Sequence, residues 1–161
     1  MRLLTFAVPV FVLAAYTLSG AEKYSGPRPA KADVPYLLHA DTLIETEVGA
    51  ASQEARKDSS IAVVAGAGSP VKTPLSEPTF IIRTDRLQAD KFELYRLESK
   101  NGKREVVIGQ KKGKGVARAV YLQVTRIDDR LYKIEVDEPL ENGEYSLTPQ
   151  GSDQTFSFGI Y

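Results

Sequence analysis

From residue 58 onward the chain alternates apolar and polar residues with a period of two, broken every few positions by turn formers, and no stretch there repeats at a helical period. Successive side chains of a strand point to opposite faces, whereas a helix needs apolar residues three and four apart. The pattern therefore confines this region to β structure. Residues 61–65 are predicted as a short apolar strand, ended by Gly66-Ala67-Gly68-Ser69-Pro70. Pro74 and Pro78 make 71–78 a loop or an edge segment, because proline cannot donate to a sheet ladder. The next strand is 79–84. Residues 92–99 and 104–110 flank Lys100-Asn101-Gly102-Lys103, and Asn-Gly between two such runs predicts a tight hairpin. Further strands are predicted at 117–127 and 131–137, joined by Asp128-Asp129-Arg130, and at 144–148 and 155–161. About seven or eight short strands without an intervening helix predict an all-β, antiparallel sandwich or barrel over 58–161.

The amino terminus reads as an address. Met1-Arg2 is followed by an apolar run over residues 3–18, then Ser19-Gly20-Ala21 ahead of Glu22-Lys23, the three-part pattern of a secretory signal peptide over 1–21. The run is shorter than the roughly 20 residues of a membrane-spanning helix, and Pro9 interrupts it, so cleavage is favoured over an uncleaved N-terminal membrane anchor. The expected location is outside the cytoplasm, periplasmic or extracellular. The whole chain has 161 residues and no Cys, which excludes disulfides, thiolate metal sites, thiol nucleophiles and a lipid-bearing N-terminal cysteine together. A domain of about 100 residues can bury enough apolar surface without disulfides.

Residues 22–57 are expected to be a leader. Three prolines and little apolar content make 22–35 an extended linker, and 36–40 is a short apolar patch. Residues 41–57 are mixed: Thr42, Ile44, Thr46 and Val48 alternate like a strand, and a short helix is expected over 47–57.

One segment narrows the β architecture. Leu140, a turn glycine at Gly143 and a tyrosine at Tyr145 resemble the tyrosine corner of immunoglobulin-like sandwiches, two strands from the carboxyl end where that family has it. The resemblance implies that the Tyr145 side chain folds back onto the turn backbone. The Cys pair and core Trp of antibody domains are absent. The close of the chain, 143–161, also resembles that of uncharacterised exported bacterial proteins, a likeness that carries no activity with it.

Catalytic and cofactor motifs fare poorly. Gly66-Ala67-Gly68-Ser69-Pro70-Val71-Lys72-Thr73 lacks the glycine a phosphate-binding loop needs before its Lys-Thr pair, and the prolines forbid the helix that should follow. His39 is the only histidine, and no Gly-x-Ser-x-Gly elbow accompanies it, so a hydrolase built on His39 is the least favoured reading. Asp128-Asp129 and Asp137-Glu138 read as turn chemistry rather than as a carboxylate pair or a calcium loop. No cofactor, metal, nucleotide or nucleic-acid partner is expected.

The chain carries 21 basic and 21 acidic residues, but unevenly. Residues 83–118 hold eleven basic and five acidic side chains, a net of +6, and 128–161 hold two and eight, a net of −6. Lys103, Arg104, Lys111, Lys112 and Lys114 are thus the candidate contacts for an anionic envelope polymer or an acidic protein. The competing explanation is that these charges solvate edge strands and block edge pairing. The function expected on these grounds is that of an exported, non-enzymatic binding module. The alternative is a structural subunit that self-associates when residues 22–60 add a strand to a neighbour's sheet.

Overall fold

The computed structural model of the chain describes residues 23–56, 59–109 and 115–161. Among them the strands run β1 (Tyr36–His39), β2 (Thr42–Glu45), β3 (Glu47–Ala50), β4 (Ser52–Arg56), β5 (Ser59–Ala65), β6 (Lys72–Thr73), β7 (Thr79–Arg83), β8 (Phe92–Lys100), β9 (Lys103–Ile108), β10 (Leu122–Asp128), β11 (Leu131–Val136), β12 (Gly143–Pro149) and β13 (Gln154–Ile160). Helical structure among the described residues is limited to one 3₁₀ turn at Ala89–Lys91. The chain is all-β.

Two sheets carry the fold. The first has the order β10-β11-β7-β1-β2, and the second β3-β13-β12-β8-β9-β5-β4, with β6 beside β13. All these pairings are antiparallel except that of β6 with β13. The predicted hairpin joins β8 to β9, with Asn101 at φ 52° and Gly102 at φ 75°. Two successive positive φ values give the turn a twist that matches the flanking strands, which is why Asn-Gly is favoured there.

The sheets pack through alternate side chains. Leu37, Phe80, Ile82, Ile134 and Val136 of the first meet Leu94, Leu147, Phe156, Phe158 and Ile160 of the second in one buried cluster. Phe158 anchors it, edge-on to Phe80 at 5.1 Å between ring centres and stacked on Tyr145 at 5.7 Å. Each aromatic pair adds about 0.5–1.5 kcal/mol beyond its buried area.

The second sheet is not flat. Strands β3 and β4 are separated by Ala51 alone, yet β3 pairs with β13 and β4 with β5, at opposite ends of the strand order. The Ala51 amide donates to the Asp153 carbonyl at 2.8 Å, and the sheet curls into a half-barrel.

This corrects the expectation for residues 22–57. No helix forms over the described part of 47–57; its residues are β3 and β4, and β1 and β2 precede them, so the strands exceed the seven or eight anticipated. Val48 is the one β-branched residue there, so the strand state comes from tertiary pairing, β3 with β13 and β4 with β5. Nor is 23–35 a free linker. Pro29 and Asp33 are buried, Lys31 pairs with Glu45 at 2.7 Å, and Arg28 pairs with Asp128. Asp33 accepts from the Thr84 hydroxyl at 2.8 Å, the Asp85 and Arg86 amides at 3.1 and 3.2 Å, and the Arg86 Nε at 3.0 Å. Burial pushes the Asp33 carboxyl up, but these hydrogen bonds outweigh it and hold the pKa at about 2. The signal peptide expected over 1–21 lies outside the described residues.

Candidate functional site

Curling gives the second sheet an inner face as well as the face on the core. On β13, Phe156, Phe158 and Ile160 point to the core, so the alternate residues Thr155, Ser157 and Gly159 point inward. The same alternation puts Glu144, Ser146 and Thr148 of β12 inward, with Glu93, Tyr95 and Leu97 of β8. Ala62 and Val64 of β5 and Val106 and Ile108 of β9 complete an apolar wall.

Thr155, Ser146, Thr148, Glu93, Tyr95 and Leu97, together with that wall, line a cavity of about 320 Å³. Its apolar side is Ala62, Val64, Leu97, Val106 and Ile108, and its polar side includes Ser146, Thr148, Thr155, Glu93 and Tyr95. Gln53 and Asp153, exposed and joined at 3.0 Å, stand at the rim. Within, the Tyr95 hydroxyl donates to Glu93 Oε2 at 3.1 Å. Burial first, and the Glu93 charge second, push the Tyr95 pKa to about 12, so the phenol stays neutral. Thr155 is 3% exposed, and its hydroxyl finds no partner among the described residues. Such a group is uncommon, because a buried hydroxyl ordinarily has a partner.

Beyond this cavity the inner face is closed by charge. Arg104, two residues before Val106 on the same face of β9, is 0% exposed. Its guanidinium donates to both Glu47 carboxylate oxygens at 2.7 and 3.0 Å and to the Ala65 and Gly66 carbonyls at 2.6 and 3.1 Å. Glu144 lies 3.8 Å from it and 3.5 Å from the Lys72 ammonium. Arg104 thereby ties β9 to β3, β5 and β12 across the curl. Glu144 also accepts the Ser69 amide at 2.7 Å, which gives the glycine-rich segment 66–69 a capping role here. A Cβ at Gly159 would come within 2.9 Å of Glu144 Oε1, so a side chain there would displace the carboxylate.

The residues singled out from the sequence scatter. Lys103 is exposed at the β8–β9 hairpin. Arg104, its neighbour, is corrected from a surface contact to a buried ion-pair residue, since alternation turns it inward where two carboxylates await it. Lys111, Lys112 and Lys114 lie outside the described residues. Leu140 and Tyr145 are buried, and the Tyr145 hydroxyl donates to the Glu141 carbonyl at 2.8 Å, across the bend that enters β12 at Gly143. His39 is exposed at the end of β1 in the other sheet and does not line the cavity. Asp128 accepts the Asp129 amide at 2.7 Å and Asp129 pairs with Arg126, which is turn chemistry.

Sequence reasoning missed the cavity altogether. The available signal was the kind of polar residue facing away from the core. The faces of β12 and β13 turned from the core carry Ser146, Thr148, Thr155, Ser157 and Gly159, with Glu144 as the charged exception, while β11 carries Lys133 and Glu135. Small hydroxyl residues suit an enclosed face; long charged ones suit water.

Among the described residues, no group of three or more His, Asp or Glu side chains could hold a metal ion, and no helix is long and apolar enough to cross a membrane. The chain matches no known protein family, no curated protein and no solved structure.

Proposed function

We propose that the protein is a non-enzymatic binding module that takes a small, largely apolar molecule into the half-barrel cavity. The observation that carries the reading is the cavity itself, about 320 Å³ with an apolar wall and a few polar groups opposite. Small-molecule sites typically span about 300–1,000 Å³ and combine apolar lining with a few polar groups that orient the ligand. Strands on both sides hold the lining residues, which favours a preformed site over one assembled on binding.

Export remains part of the proposal, supported by the pattern of residues 1–21. So does the immunoglobulin-like description, supported by the Tyr145 corner. The proposal moves the contact from the basic hairpin to the cavity, because Arg104 is committed to Glu47. Strand donation by residues 22–60 would require β3 and β4 to leave β13 and β5, which weighs against the subunit reading.

Calorimetric titration of the purified protein with n-octanol tests the reading. Saturable one-site binding is expected, weakened at least about tenfold in Ala62→Leu, which fills the cavity from its apolar wall. Ser146→Leu fills it from the opposite side and should act alike, with thermal melting confirming that both variants fold. Absence of saturable binding, or equal binding by the filled variants, would refute the proposal.

A further inference from the structure

We infer that the cavity selects an organic ammonium, a molecule with an apolar body and one protonated amine, over neutral or anionic molecules of the same shape. The inference rests on the proposed cavity binding and adds the charge of the ligand. Its basis is the charge of the lining. Glu93 and Asp153 are the charged residues among the described lining residues, and no Lys, Arg or His is among them. Asp153 stands at the exposed rim, held by Gln53. Glu93 is half-buried and takes the Tyr95 hydroxyl on Oε2, while Oε1 accepts nothing from the described residues.

That arrangement is built to receive a donor. An ammonium donates up to three hydrogen bonds and carries the charge that a partly buried carboxylate lacks a partner for. Tyr95 lines the same cavity, and its phenol stays protonated, so no second anion forms beside Glu93. Leu97, Val106 and Val64 would receive the apolar body. The unpartnered Thr155 hydroxyl adds a buried dipole among these walls, and it brings no charge of its own. A carboxylate ligand entering here would meet Glu93 and Asp153 at close quarters and lose hydration without compensation.

Octylammonium, n-octanol and octanoate share one apolar body and differ in the head, so their affinities for the purified protein separate charge from cavity. Octylammonium should bind about tenfold more tightly than octanol, and octanoate more weakly than either. In Glu93→Gln octylammonium should bind no more tightly than octanol. Equal affinity for the three heads would overturn the charge inference and leave the cavity reading intact. Preference for octanoate would overturn it too, in favour of a basic mouth. If none of the three binds, the cavity reading itself fails.

Discussion

Replacing Arg104 by methionine removes a guanidinium while keeping most of the side-chain volume. The wild-type group makes hydrogen bonds of 2.7 and 3.0 Å to Glu47 and of 2.6 and 3.1 Å to two backbone carbonyls, and sits 3.8 Å from Glu144. Deleting one partner of a buried ion pair costs about 3–5 kcal/mol, because the remaining charge is left uncompensated. The stranded carbonyls push toward the upper end, and water reaching Glu47, which is 28% exposed, pulls back. A loss of about 4 kcal/mol at pH 7 is expected, measured by urea unfolding. Its pH dependence has a definite sign. Burial pushes the Glu47 carboxyl up, but hydrogen bonds from Arg104 and Ser69 and the Arg104 charge outweigh it and hold the pKa below the usual carboxylate value. Wild-type stability from Glu47 is therefore present above that usual value and is lost as pH falls through the lowered folded pKa. In Arg104→Met burial acts with less opposition, the folded pKa rises, and the penalty is relieved as pH falls. Both effects narrow the gap between the proteins, so the deficit at pH 4 should be smaller by about 1 kcal/mol or more. Lys103→Met, one residue away and exposed, should stay within about 0.5 kcal/mol of wild type. A deficit for Arg104→Met below about 1 kcal/mol at pH 7, or one unchanged at pH 4, would refute the reasoning.

Other perturbations separate further contacts. Tyr145→Phe removes the 2.8 Å bond to the Glu141 carbonyl and should cost about 1 kcal/mol by denaturant unfolding, with no effect if the corner is only packed in place. The Asp33 carboxyl, with a folded pKa of about 2, contributes stability above its unfolded value of 3.8 that disappears as pH falls toward 2. Asp33→Asn should therefore lose on the order of 2 kcal/mol at pH 7 and close most of that gap in acid-titrated melts. Thr155→Val deletes a hydroxyl without a partner, so its melting temperature should be equal to or above wild type, and a loss beyond about 1 kcal/mol would mean that the hydroxyl is bonded.

What the sequence revealed was local. Asn101-Gly102 fixed a hairpin, and the alternation through Phe156, Phe158 and Ile160 fixed a core face, because both depend on neighbours in the chain. Residues 36–56 were opaque for the opposite reason. Strand β3 is short and gains its place from β13, more than a hundred residues later, so the tertiary partner decides what its own residues leave open. Arg104 was misjudged as one cation in a basic stretch, since nothing near it announces Glu47, 57 positions earlier. The cavity needs the curl, and the curl needs Ala51 to join the two ends of one sheet, which no alternation pattern encodes.

Methyl-resolved NMR of the purified protein during an n-octanol titration reads occupancy of the half-barrel residue by residue. Saturable shifts should concentrate on Ala62, Val64, Leu97, Val106 and Ile108, with the core methyls of Leu37, Ile82 and Ile134 unmoved. Shifts that do not saturate, or that fall chiefly outside the half-barrel, would contradict that occupancy.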